Sequence, residues 1–311
     1  MAVYFLNLKT FGRSGGSSAV SAAAYRAGER IRDERTGRIH DHTDRRDVLH
    51  KEIILPSHLE ESGLNWAKER AYLWNAAEDA EVRKNARVAR EYLVALPAEL
   101  DPDQRLALVR GFSRELTDRY RFALDLAVHA PRDFPGSDPR NFHAHLLATT
   151  REITPDGLAT KTTLELNDSH RRDLGLPPGI YELLHVRERW AAVTNEALRD
   201  AHVEARIDHR SLAAQGIDRE PYPRIPRTAF EMERHGYRSG QAERLRMEYQ
   251  ARVQERLQNK QELGHAPSRE EPRTLEDIRR QAREDWLRLK KTSASEPAAS
   301  RENARDEDLS R

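Results

Sequence analysis

The stretch Val88–Leu96 constrains the fold most, because both of its faces are apolar. In an extended chain alternate side chains share a face. That puts Val88, Tyr92, Val94 and Leu96 on one side, and Ala89, Leu93 and Ala95 on the other together with a carboxylate, Glu91. A strand without a polar face runs through the interior of a sheet, and Pro97 closes this one. A carboxylate on such a strand needs a partner. Glu91 is therefore either one half of an ion pair with an arginine, or a base or outer partner of a metal-binding histidine.

The neighbouring patterns supply the rest of a sheet. Phe122–His129 and Phe142–Thr150 read as strands joined by the Pro/Gly/Asp loop 131–141, and residues 3–8 alternate as a further strand. Residues 29–55, with the turn signal Arg35-Thr36-Gly37, read as a hairpin or basic loop leading into the apolar run Ile53-Ile54-Leu55. Helices are expected from Ala19 to about Ala27 with Ser17 or Ser18 as N-cap, over 65–82, from an Asp101 cap to about Tyr120, and over 181–203. Residues 154–168 read as loop. This order predicts an α+β fold, an antiparallel sheet flanked by helices gathered on one face.

The pattern changes beyond residue 217. Three parts are expected: a domain over 1–217, a charged helical extension over 218–263 with its helix from about Phe230 to Leu263, and a polar, largely disordered tail over 264–311. Lys260–Arg311 carries twelve basic and twelve acidic side chains and one aromatic, Trp286. Residues 274–291 have the pattern of an isolated helix, whereas 292–311 have nothing to bury.

Cysteine is absent, which removes disulfides and thiolate metal sites and suits a reducing cytoplasm. No stretch approaches the ~20 apolar residues of a membrane span, and the opening run is too short for a signal peptide. A cytoplasmic protein without membrane insertion is expected. The net charge of +1 gives no bulk argument for binding nucleic acid, but Lys9–Lys51 holds ten Lys or Arg against six Asp or Glu. That excess fits a basic face toward nucleic acid or an ordinary solvated surface.

Three features carry chemistry. His143 and His145 share one face of their strand, and His129 ends the strand before it; if the two pair as a hairpin, three imidazoles converge, as a divalent transition metal requires. A chain with 13 histidines among 311 residues shows about half an H-x-H pair by chance, and His40-Asp41-His42 is such a second pair. Tyr25 ends the alanine-rich helix, with Arg26 beside it, and is a packing residue with a wet hydroxyl or a nucleophile. Upstream, Arg13, Ser14 and the glycines that follow offer backbone N–H groups at a helix N-terminus, a suitable anion cradle.

Together these stretches resemble the MobA/MobL family of plasmid mobilisation relaxases, within the H-u-H tyrosine nucleases. The resemblance rests on Met1–Leu6, Arg13–Ala19, Ala24–Gly28, Arg90-Glu91 with Ala95-Leu96-Pro97, His129, Asn141–Leu146, and Arg206–Leu212 with Gln215-Gly216-Ile217, in family order over residues 1–217. It implies a relaxase-like fold, Tyr25 as nucleophile, and His129, His143 and His145 as ligands of a divalent metal, Mn²⁺ or Mg²⁺. It also places Glu91 near the active centre, while Arg13 and Ser14 in the anion cradle and Arg26 beside Tyr25 are expected to face DNA. Leu93 stands where some relatives carry a second glutamate, so a two-carboxylate arrangement is not implied.

The implied activity is nicking of single-stranded DNA at an origin of transfer through a reversible 5′-phosphotyrosyl intermediate, with accessory mobilisation and type IV secretion coupling proteins as further partners. Three alternatives share these features: a hydrolytic metal nuclease, a replication initiator of the same chemistry, and a non-enzymatic DNA-binding accessory protein. The tail generates a first test. Truncation after about Leu263 is expected to leave nicking of a short oligonucleotide unchanged, and loss of nicking in a folded truncation would place tail residues in the site.

Overall fold

The computed structural model describes residues 2–60, 62–131 and 137–263, together with Arg280 and Glu284. Among these residues the strands are β1 (Leu6–Gly12), β2 (Arg30–Arg32), β3 (Ile39–Asp41), β4 (Val48–Ile54), β5 (Arg87–Ala95), β6 (Phe122–His129), β7 (His143–Thr154) and β8 (Gly157–Lys161). The helices are α1 (Ala19–Ala27), α2 (Asn65–Lys68), α3 (Arg70–Asp79), α4 (Pro102–Tyr120), α5 (Asp168–Asp173), α6 (Gly179–Asp200), α7 (Arg227–Arg234) and α8 (Gly240–Leu263). Two units divide the described chain, Met1–His209 and Arg210–Arg311, so the first ends eight residues before the expected 217.

The first unit is built on an antiparallel sheet in the order β1-β5-β7-β6-β4, with β8 on the far part of β7 and β2–β3 as a separate ribbon. β5 is interior, as its two apolar faces require. One face, formed by Tyr92, Val94, Leu124, Leu126, Val128, Ala144 and Leu146, packs on Val109, Phe112 and Leu116 of α4 and Trp190 of α6. The Phe112 and Trp190 rings lie 4.9 Å apart. The opposite face, with Ala89, Ala123 and Leu147, packs on the alanines of α1 and on Leu73 and Trp74 of α3. Helices therefore cover both faces, where one had been expected. The cause is visible in β6, buried along its whole length: a sheet apolar on both sides has to be covered on both sides.

Local chemistry sets the ends of elements. Asp101 accepts from Gln104 N at 2.8 Å while its own N–H donates to the Gln104 side chain at 3.0 Å, the reciprocal cap of α4. Ser18, rather than Ser17, caps α1 by accepting from Ser21 N at 3.3 Å. The helical pattern over 65–82 divides at Glu69, whose backbone is extended, into α2 and α3. The 154–168 loop contains a strand, β8, which pairs with β7 across the tight turn at Gly157. The opening strand runs over β1, later than 3–8.

In the second unit the expected helix over 230–263 is two helices. Gly236, with φ +82°, follows the end of α7, and Ser239 caps α8 by accepting from Ala242 N. Arg246 bridges them with two 2.7 Å bonds to Glu233. The helix expected over 274–291 and the disorder expected over 264–311 lie outside the described residues, apart from Arg280 and Glu284. No helix among the described residues is long and apolar enough to cross a membrane.

Asp125 pins α3 to the sheet. Its carboxylate is buried and accepts from Arg70 Nε at 2.8 Å, Arg70 Nη2 at 2.9 Å and Trp74 Nε1 at 2.9 Å. Asp125→Ala strands the largely buried Arg70 beside Glu29 alone and is expected to lower unfolding stability by about 3–5 kcal/mol, read from chemical denaturation. A loss within experimental error would show that the clamp contributes nothing.

Candidate active site

The sheet register assembles the three histidines. His129 lies opposite His143 across the β6–β7 pair, and both Ala127 and Leu93 lie opposite His145. All three side chains therefore point to the sheet face that α1 covers, as alternation along β6 and β7 demands. Their ring centroids are 5.3, 4.8 and 5.3 Å apart, and one ligand atom from each lies within 4.8 Å of the others. His129 is fully buried. Burial, and after it the nearby His145, pushes its imidazole down to about 3. Burial likewise lowers His145 below the usual histidine range, against the raising effect of Glu91. Neutral imidazoles are the form that binds metal.

Hydrogen bonds assign two of the ring nitrogens. His145 Nδ1 meets Glu91 Oε1 at 2.6 Å, and His143 Nδ1 meets the Asn141 carbonyl at 3.0 Å. Both partners accept, so each Nδ1 carries the proton and each Nε2 presents its lone pair. His129 has the other tautomer: Nε2 donates to the Arg26 carbonyl at 2.7 Å, and Nδ1 accepts from Arg45 Nη2 at 3.1 Å. Binding an ion through His129 Nε2 requires its proton to move to Nδ1, where Asp47 Oδ2 stands 3.7 Å away as an acceptor. Three clustered neutral imidazoles, each with an acceptor near its other nitrogen, fit a divalent transition metal.

Glu91 joins this cluster to α1. Burial alone would raise its carboxyl, but the hydrogen bonds from His145 and Arg26 and the Arg26 charge hold it down at about 2. It accepts from Arg26 Nε as well as from His145. Of the readings open for Glu91, the geometry realises the arginine ion pair and the contact to a candidate ligand histidine together.

Tyr25 sits half-buried in the last turn of α1. The Arg45 guanidinium lies over its ring, 4.2 Å from the centroid, and His42 meets the ring edge-on at 5.2 Å. Tyr25, His42, Arg45, Arg46 and Ala130 line an open hollow of about 540 Å³. On the other side of the cluster His143 borders an apolar hollow of about 510 Å³, with Phe5, Leu93 and Phe142. His42, which the sequence placed in a chance H-x-H pair, is thus a neighbour of Tyr25, whereas His40 lies 4.0 Å from Asp33.

The structure does not bring Arg13 to the cluster. Its guanidinium is bonded to the Glu78 carboxylate and to the Glu78 and Glu81 carbonyls. Glu78 also accepts from Ala19 N at 2.7 Å, so the chain's own carboxylate fills the anion cradle expected at the start of α1. Ser14 is exposed in the turn before α1, and Arg26 is taken up with Glu91. Arg45 and Asp47 had no signal beyond a place in the basic stretch, since no periodicity relates that loop to Tyr25 or His129.

The model of the MobA/MobL family matches residues 17–235, a span that contains Tyr25, Glu91 and all three histidines. The chain belongs to the MobA/MobL family. It is similar to "Mobilization protein MobL" of Acidithiobacillus ferridurans, with 39% identity over 285 residues, 85% of this chain and 71% of that protein. It is similar also to "Mobilization protein A" of Escherichia coli, with 34% identity over 295 residues, 91% of this chain but 37% of the longer relative. A solved structure described as "Molecular Basis of Vancomycin Resistance Transfer in Staphylococcus aureus" superposes with a TM-score of 0.54 at 27% identity, over 68% of this chain and all of that one. For this family member, Glu91→Gln is expected to weaken Mn²⁺ binding about 10–100-fold, because His145 loses the charge that orients it. Titration calorimetry on DNA-free protein reads this effect, and unchanged Mn²⁺ affinity in a folded His143→Ala/His145→Ala variant would remove the cluster as a metal site.

Proposed function

We propose that this family member is a relaxase that nicks single-stranded DNA at a plasmid origin of transfer, with Tyr25 as the nucleophile. The observation that carries the reading is the docking of the last turn of α1 on the histidine cluster: the Arg26 side chain shares Glu91 with His145, a contact that leaves His145 Nε2 open to an ion. Tyr25 is thereby carried on the helix turn that meets the three imidazoles. A Mn²⁺ or Mg²⁺ ion held by His129, His143 and His145 would supply Lewis acidity to a non-bridging oxygen of the scissile phosphate, and the donor set favours the transition ion.

The residues of the chain do the rest. Tyr25 Oη forms a bond to phosphorus as the bond from phosphorus to the 3′-oxygen breaks; the proton lost from Oη is matched by one gained at the 3′-oxygen. The products are a 5′-phosphotyrosine and a 3′-hydroxyl. Because the phosphotyrosine keeps the bond energy, a 3′-hydroxyl can reverse the step and reseal the strand, which transfer of a strand requires and hydrolysis forfeits. The hollows at Tyr25 and at His143 give a strand room on either side of the cluster, and the apolar one suits unpaired bases. In a cell the reaction belongs in the cytoplasm, with accessory mobilisation and type IV secretion coupling proteins delivering the product.

Tyr25→Phe removes one oxygen and keeps the ring, so oligonucleotide affinity is expected to hold while the covalent protein–DNA adduct disappears. A denaturing gel with 3′-labelled origin DNA and Mn²⁺ reads the result. An adduct in Tyr25→Phe would move the nucleophile to another tyrosine. Cleavage by the wild type without any adduct would favour the hydrolytic nuclease, and chelator-resistant DNA binding without cleavage would favour an accessory protein.

A further inference from the structure

The end of α1 that carries Tyr25 is closed by donors from outside the helix, three of them side chains. The last carbonyls of a helix lack partners within it and form the negative end of its dipole. Here the Ala24 carbonyl accepts from Glu29 N at 3.0 Å, Tyr25 from Arg45 Nη1 at 2.8 Å, Arg26 from His129 Nε2 at 2.7 Å, and Ala27 from Lys51 Nζ at 3.0 Å. Gly28 ends the helix with φ +61°, where a side chain would be strained and its Cβ would stand 3.2 Å from Val48 and 3.5 Å from the Arg45 side chain. The segment bearing Arg45 can approach α1 this closely because residue 28 has no side chain.

Arg45 also reaches the tyrosine side chain. Its guanidinium lies 4.2 Å from the Tyr25 ring centroid, and it touches His129 Nδ1 at 3.1 Å. Asp47 grips the guanidinium from the other side, accepting from Nε at 2.8 Å and from Nη2. The Arg45 side chain is only 10% exposed, and its paired donors are committed to Asp47, so it does not offer a fork to a DNA phosphate.

We infer that Arg45, held by Asp47, is the positioning residue for Tyr25: it fixes the backbone and ring of the nucleophile beside His129 and sets a cation where negative charge gathers during attack. The inference rests on the reading of Tyr25 as nucleophile. A planar guanidinium can cap the carbonyl, lie over the ring and grip a carboxylate at once, and a lysine ammonium cannot. A cation over an aromatic face is attracted to it, and fixed charge aimed at a developing anion needs no reorganisation as the bond forms.

The test compares wild type, Tyr25→Phe, Arg45→Ala, Arg45→Lys and Lys51→Ala in single-turnover adduct formation at saturating Mn²⁺, with Kd for the same oligonucleotide measured separately. Misplacement of a reacting group costs on the order of 100-fold, so Arg45→Ala is expected to slow the adduct step about 100-fold while Kd stays within about threefold. Added guanidinium ion should recover part of that loss, which repair of a merely structural defect would not produce. Lys51→Ala removes the neighbouring cap without touching the ring and should keep a rate near that of wild type. A wild-type rate in folded Arg45→Ala, or a Kd that rises in step with the lost rate, overturns the inference. If Arg45→Ala does not fold, Arg45→Lys decides, with a rate about 10-fold lower at constant Kd expected and a wild-type rate overturning it. An adduct in Tyr25→Phe would instead overturn the nucleophile assignment and this inference with it.

Discussion

Glu91 is a charged group at the centre of an apolar sheet, and the arrangement of the candidate site depends on how that charge is satisfied. A carboxylate in this position is costly unless it is paired and hydrogen-bonded. Its two partners come from different elements: Arg26 from the last turn of α1, His145 from β7. The same contact that relieves burial therefore docks the helix and orients an imidazole. Glu91 holds the proton of His145 on Nδ1, which leaves the Nε2 lone pair open, and it binds Arg26, the neighbour of Tyr25. Loss of Arg26 leaves the Glu91 charge buried without an opposite charge.

Around that anchor the molecule repeats one device, the use of buried polar pairs to fix helices on the sheet. Glu78 receives the N-terminus of α1 and the guanidinium of Arg13, and Asp125 receives Arg70 and Trp74 of α3. The alanines of α1 let its backbone lie close to the strands, with little side-chain bulk to set its rotation. Directional hydrogen bonds at both ends then specify what packing leaves loose. The opposite face, where α4 and α6 meet the sheet through Phe112 and Trp190, is an apolar core and carries none of the candidate chemistry.

Much of this was legible in the sequence, and the division follows the range of the interactions. The face shared by His143 and His145, the interior position of β5 and the Asp101 cap of α4 follow from periods of two residues or from contacts three residues apart, which a sequence displays directly. The meeting of His129 with His143 required only that adjacent strands pair. Glu78 at the start of α1 and Arg45 at its end act across 59 and 20 residues, in segments without periodicity, and nothing local marks them. The same limit explains Arg13, which reads as a basic residue beside an anion cradle and is instead half of an internal ion pair. The apolar faces of the strands did imply cover on both sides, although the order of the elements had suggested one.

In the proposed reaction Tyr25, on the helix turn that meets three histidines, bonds to the 5′ side of a cut strand. The most direct measurement is mass spectrometry of the covalent product after nuclease and trypsin digestion. Cleavage after Arg13 and Arg26 releases Ser14–Arg26, a peptide with a single tyrosine. This peptide is expected to carry a 5′-phosphorylated nucleotide remnant on Tyr25. A remnant on a peptide that lacks Tyr25, or cut DNA with free 5′-phosphate ends and no modified peptide, would contradict it.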